Sequence, residues 1–120
     1  MERKFRITRL YSGPDGKSRF EDVEVPLKDK GDIGWWSRLR KATGITFRET
    51  DGDYYLDWHT APQLQFVITL EGEVEIEAGD GTTRRFGPGD ILLAEDTTGR
   101  GHISRAVNNQ PHKIAFVNLD

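Results

Sequence analysis

The stretch Gln65-Phe66-Val67-Ile68-Thr69-Leu70-Glu71-Gly72-Glu73-Val74-Glu75-Ile76-Glu77 decides the fold class. Its second part alternates without a break, Val74 and Ile76 on one side and Glu73, Glu75 and Glu77 on the other. A strand with that period buries one face and shows the other to water. Its first part, Gln65 to Leu70, leads into it through the Glu71-Gly72 turn. Two strands and a tight turn are the start of an antiparallel sheet.

The same rhythm runs outward in both directions. Downstream, Gly79-Asp80-Gly81 closes a hairpin, Thr82 to Phe86 returns, and Gly87-Pro88-Gly89-Asp90 turns into Ile91-Leu92-Leu93-Ala94. Gly, Pro and Asp mark such turns because they supply or tolerate the required backbone angles. A polar loop from Glu95 to Gly101 precedes the last strands, His102 to Val107 and Lys113 to Leu119. Upstream, Phe5 to Tyr11 is apolar at every second position and is followed by the turn Ser12-Gly13-Pro14-Asp15-Gly16. Phe20 to Leu27, Ile45 to Glu49 and Tyr54 to Trp58 read as further strands, and Lys28 to Gly34 as a surface loop. Trp35-Trp36-Ser37-Arg38-Leu39 reads as a helical turn or an aromatic cover. No long helical stripe is present, and short strands between Gly and Pro turns predict an all-β barrel or sandwich.

Composition narrows the function. A chain of 120 residues suits one hydrophobic core, and no linker divides it, so a single domain over 1–120 is expected. The charged fraction is 31%, but 10% aromatic residues and recurring apolar runs exclude a disordered chain. The net charge of −3 and the scattered basic residues argue against nucleic acid as a partner. There is no Cys, which removes disulfides, thiolate nucleophiles and zinc–thiolate sites. No apolar run has the length of a signal peptide core or a membrane span, so a cytoplasmic protein without a membrane partner is expected.

The three His are the residues most suited to chemistry. Asp57, His59, Ala61, Gln63 and Gln65 share one parity, so an extended strand would line them on one face. Pro62 requires a bulge or an edge there. His102 re-enters a strand after Thr98-Gly99-Arg100-Gly101. His112, after Pro111 in an Asn-Asn-Gln-Pro turn, is expected at the surface. Asp57 and Glu95 are candidate pocket acids, and Tyr55, Trp58 and Phe47 candidate apolar contacts for a ligand.

Two segments, Asp57 to Gly72 and Gly87 to Val107, resemble the two motifs of the cupin superfamily. His59 occupies the first His of the family's His-x-His pair and Ala61 the second, Gln65 stands at the Glu position, and Gly72 falls where the motif's Gly belongs. Phe86-Gly87-Pro88-Gly89-Asp90-Ile91-Leu92-Leu93 is similar to the entry of the second motif, with Glu95 at a usual Pro position and His102 at its His. The resemblance implies a small antiparallel β-barrel, a double-stranded β-helix or jelly roll. It also implies a degenerate metal site made of His59, Gln65 and His102 only. Zn, Ni, Mn or Fe would be held weakly there, because a neutral amide and an alanine replace strong ligands; Asp57 or Glu95 is the remaining source of a carboxylate.

The expected function is therefore a small-molecule cupin, a non-redox isomerase, epimerase or dehydratase. His59 and His102 would move protons or weakly coordinate metal, and Gln65, Gln63, Asp57, Tyr55, Trp58 and Glu95 would contact the substrate. The alternative is a non-catalytic module for a sugar or small organic acid. A homodimer is expected, formed through the Phe5–Tyr11 edge, with Trp35 and Trp36 as interface anchors or pocket lids. Glu95 to Gly101 is expected to gate the pocket.

Overall fold

The two alternating segments around the Ser12–Gly16 turn pair as an antiparallel hairpin. β1 (Arg3–Ser12) meets β2 (Ser18–Asp29) in a register that runs from Arg3 opposite Leu27 to Ser12 opposite Ser18. The computed structural model describes residues 2–120. After a single 3-10 turn, Gly31–Ile33, the short strand β3 (Trp35–Trp36) pairs with the end of β2. The tryptophans are thus an edge strand rather than a helical turn, and the expected loop is shorter because β2 runs on to Asp29. There follow β4 (Ala42–Thr50), β5 (Tyr55–His59), β6 (Gln65–Glu71), β7 (Val74–Glu77), β8 (Thr83–Phe86), β9 (Ile91–Ala94), β10 (His102–Ala106) and β11 (His112–Leu119).

These strands form a seven-stranded sheet in the order β3-β2-β1-β9-β6-β11-β4 and a four-stranded sheet in the order β5-β10-β7-β8. Among the described residues neither sheet closes on itself. The architecture is all-β and two-sheeted, where the sequence led us to expect a barrel. β1 lies inside the larger sheet, paired with β2 along its length and with its parallel partner β9 through Thr8–Leu10, so only the ends of the Phe5–Tyr11 segment keep a side without a strand partner. No helix among the described residues is long and apolar enough to cross a membrane.

Alternation sorts the side chains of the larger sheet. Thr8 and Leu10 lie beside Leu92 and Ala94, while Arg9 lies beside Leu93 with the opposite parity. Inward, Leu10, Leu92 and Ile114 join Val74, Ile76, Ala78 and Phe86 from the smaller sheet in the main core. Each such aliphatic side chain contributes about 1.5–3 kcal/mol when fully buried. A second cluster, Ile7, Leu93 and Leu119 with Val23, Val25 and Phe66 around them, has the outward parity. That face is not fully covered: Phe5, Ile45, Phe47 and Leu70 remain exposed on it.

Candidate functional site

The inward face of the larger sheet does not close completely on the smaller one. A cavity of about 350 Å³ remains, lined from β4, β6, β9 and β11 on one side and β5, β7 and β10 on the other. Its lower walls are Val67, Val74, Ile76, Leu92, Ile114 and Phe116. Its polar groups collect in two places.

The first is a pair of imidazoles. His59 ends β5 and His102 begins β10, and the two residues face each other in the antiparallel register. Their ring centroids are 4.3 Å apart with the planes inclined at 58°. Local backbone geometry makes this possible. Between His102/His59 and Ser104/Leu56 the register slips, two residues of β10 facing three of β5. The extra residue is a bulge, and it reverses the inward phase of β5. Leu56 lines the cavity before the bulge and His59 after it. Gly101 supplies the other condition. Its φ is +80°, and a Cβ there would stand 1.9 Å from the His59 carbonyl oxygen, so only glycine lets the strands approach.

Both rings are held by the same nitrogen. His59 Nδ1 lies 2.7 Å from the Asp57 carbonyl oxygen, which can only accept, so Nδ1 carries the proton. His102 Nδ1 lies 2.5 Å from Oδ2 of Asp96, a carboxylate with no exposed surface. Among the described residues, neither Nε2 has a protein hydrogen-bond partner. The carboxylate fixes tautomer and orientation of His102, and the free Nε2 is the atom left for proton transfer. Partial burial is the main cause holding His59 below the usual imidazole value of 6.5, and neighbouring His102 adds to it.

The second polar group is centred on Arg48 of β4. Its Nη1 donates to Tyr54 Oη at 3.3 Å, and Tyr54 Oη lies 2.6 Å from Ser104 Oγ. Its Nη2 is 3.4 Å from Nε2 of His112, whose Nδ1 is 2.9 Å from Thr50 Oγ1. The guanidinium carbon sits over the rings of Tyr54 and Phe116, at 4.7 and 5.0 Å from their centroids. Burial first, and the Arg48 charge second, hold the His112 ring below its usual value.

Several expectations are corrected here. His112 is 1% exposed rather than on the surface, because it opens β11 with the parity of the cavity-lining Ile114, Phe116 and Asn118. The alignment of Asp57 and Gln63 with His59 does not occur: the bulge leaves Asp57 exposed, and Gln63 lies exposed beyond Pro62, while Ala61 and Gln65 do line the cavity. Tyr55 and Phe47 point outward, and Trp58 stacks under Arg100 at 4.0 Å, outside the lining. Glu95 pairs with Arg9 on the outward face. Trp35 and Trp36 do not line the cavity either. The Glu95–Gly101 loop contributes nothing to the lining and is fastened to the β1–β2 turn. Ser12 Oγ donates to Thr98, the Arg100 amide to Gly16, and Ser18 Oγ to Gly101.

The sequence reading missed Asp96, Arg48, Tyr54 and Ser104. Asp96 had a signal, since Leu92, Ala94 and Asp96 share one parity and Leu92 and Ala94 line the cavity. Arg48 was hidden by Ile45 and Phe47, whose apolar alternation suggested that they, not Thr46 and Arg48, would face inward.

The donor set does not fit the metal centre that the resemblance implies. Among the described residues no three His, Cys, Asp or Glu side chains converge. The Asp57 and Glu95 carboxylates are turned elsewhere, and Ala61 supplies no ligand.

No protein-family model matches the chain. No curated protein matches it either. Solved structures do. SPY1581, a conserved protein of unknown function from Streptococcus pyogenes, aligns with a TM-score of 0.53 at 24% identity over 70% of this chain and 69% of its own. NMB1881 from Neisseria meningitidis aligns with a TM-score of 0.51 at 16% identity over 68% of this chain and 84% of its own. A candidate ethanolamine utilization protein Q from Salmonella typhimurium LT2 aligns over 99% of this chain and 97% of its own, with a TM-score of 0.51 and 15% identity. What the chain shares with these proteins is an all-β, two-sheet fold.

Proposed function

We propose that the chain is a cupin-like, small-molecule-binding domain that acts as a non-redox enzyme moving a proton with His59 and His102. One observation carries this reading: two imidazoles face each other at one cavity with both Nδ1 atoms engaged and both Nε2 atoms free. His59 is assigned as the proton acceptor, since its partial burial disfavours the charged ring and favours the proton-free form that an acceptor needs. His102, oriented by Asp96, is the second proton carrier, and Gln65 at the same cavity orients the substrate. Isomerisation, epimerisation or dehydration by proton transfer can run on such a pair of groups without a redox centre.

The reading takes residues 1–120 as one cytoplasmic domain and as a homodimer. The two copies would meet on the outward face of the larger sheet, where Phe5, Ile45, Phe47 and Leu70 are exposed. Charged pairs of both signs stand at outward positions of that face, Arg9 with Glu21 and Lys113 with Glu49, and would match their counterparts on a second copy. Sedimentation showing only a 13.7 kDa species at micromolar concentration would remove the dimer.

The enzyme is tested by isotope exchange. The protein is incubated in D2O with a panel of small keto acids, hydroxy acids and sugars, and loss of the proton next to the carbonyl is followed by NMR. Exchange in the parent that falls at least tenfold in both His59→Gln and His102→Gln is expected. Exchange that survives both substitutions would contradict the assignment. Ligand shifts at the cavity with no exchange would favour the non-catalytic module for a sugar or organic acid.

A further inference from the structure

The charge inventory of the cavity is one-sided. Of its lining residues, Arg48 alone carries a permanent charge, and no Asp or Glu is among them. No carboxylate of the described residues lies within 4.0 Å of the Arg48 guanidinium, whereas Arg9, Arg19, Arg84, Arg85 and Arg105 each have one. Asp96, the buried acid nearest the cavity wall, is committed to His102. The groups that do hold Arg48 bring no negative charge: the Tyr54 hydroxyl, and the imidazole of His112, whose charged form burial disfavours. Its Nε is buried and has no hydrogen-bond partner. A half-buried cation lacking a counter-ion is costly to maintain, and the ordinary remedy is an anion placed against it.

We infer that Arg48 is the receptor for an anionic group of the ligand, so that the cavity takes a small organic acid bound through its carboxylate. The inference rests on the reading of the cavity as a ligand site and adds the chemical class. The guanidinium offers planar donors that match a carboxylate. Stacking over Tyr54 and Phe116 fixes its plane; Tyr54, held by Ser104, and His112, held by Thr50, fix its two bonded nitrogens. The apolar walls between, Val67, Leu92 and Ile76 among them, suit a carbon skeleton. The two polar groups are spaced along β10, where His102 and Ser104 both line the cavity two residues apart. That is about 7 Å from the strand rise of about 3.4 Å per residue. An acid anchored at Arg48 would therefore present a carbon a few bonds from its carboxylate to the imidazoles, and a sugar lacking an acid group would leave Arg48 unmatched.

The test uses a matched pair of probes, hexanoate and its neutral isostere hexanamide. Each is titrated into the full chain by calorimetry and by NMR of cavity residues. The parent is expected to bind hexanoate at least tenfold tighter than hexanamide. Arg48→Gln should abolish that preference while leaving hexanamide affinity within threefold, and Arg48→Lys should restore part of it. Thermal melting of each variant establishes that it is folded. Equal affinity of the parent for both probes, or an undiminished preference in folded Arg48→Gln, would overturn the Arg48 inference and leave the ligand cavity standing. If neither probe shifts a cavity residue at 50-fold excess over millimolar protein, both the inference and the cavity reading fail.

Discussion

His102 and His112 open successive strands, both follow a turn, and both are buried, yet their surroundings are electrical opposites. His102 donates to the Asp96 carboxylate, and its other nitrogen is free at the cavity. His112 lies against the Arg48 guanidinium and the Thr50 hydroxyl, and it does not reach the cavity lining. The difference teaches that burial alone does not make a histidine chemical. A carboxylate behind the ring orients it toward the cavity, whereas burial first and the neighbouring cation second disfavour the charged form of His112, which then serves as a hydrogen-bonding support for that cation.

The harshest way to break the comparison is to destroy one side only. Gly101→Ala combines a left-handed φ with a backbone collision at His59, and is expected to cost about 3 kcal/mol or more in urea unfolding. Gly81→Ala has a similar φ of +90° but meets nothing within 4 Å, so it should cost only about 1 kcal/mol. Equal losses would mean that the close contact at His59 is not what Gly101 serves.

Asp96→Asn tests the carboxylate itself. It keeps the volume but removes the charge-assisted bond to His102, with an expected loss of about 1–3 kcal/mol. Thr50→Val on the His112 side removes a neutral partner and should cost about 1 kcal/mol. A larger loss for Thr50→Val would invert the ranking of the two surroundings.

Titration sharpens the contrast further. His59, which faces His102, Asp96 and Arg48, and His112, which faces Arg48, are both held below the ordinary 6.5. In the window below 6.5 the unfolded chain binds protons that the native chain refuses, so stability falls as the pH is lowered through it. Arg48→Gln removes a cation from both neighbourhoods and should shallow that slope. A slope that steepens would show that Arg48 does not oppose protonation.

Metal addition is the smallest effect expected. Zn, Ni, Mn or Fe(II) added to protein purified without chelator should bind weaker than micromolar, since two neutral imidazoles and the Gln65 amide are the donors at hand. Stoichiometric sub-micromolar binding would show that the ligand set is larger than these residues.

Most of the strand order was legible because alternation and turn residues are local signals. Gln65 to Glu77 reads directly as two strands, and it folds as β6 and β7. The pairing of His59 with His102 was also within reach, through the spacing of the two motifs. What defeated the reading was phase. A single bulge in β5 turned Asp57 away while leaving His59 inside, and nothing between Tyr55 and His59 marks it except Pro62 downstream. On β4, two apolar residues face out and Thr46 and Arg48 face in, so hydrophobicity pointed the wrong way. The partners of His112 come from another strand, 62 and 64 residues away, which no local pattern records.

The central claim is that His59 and His102 present two unprotonated Nε2 atoms to one cavity. Nitrogen-15 NMR of the imidazole rings at pH 8, with resonances assigned by His59→Gln and His102→Gln, tests it most directly. The structure leads us to expect both rings as the tautomer protonated at Nδ1, with both Nε2 signals in the unprotonated range and both moving when hexanoate is added. Either ring found protonated at Nε2, or only one ring responding to the ligand, would contradict the account.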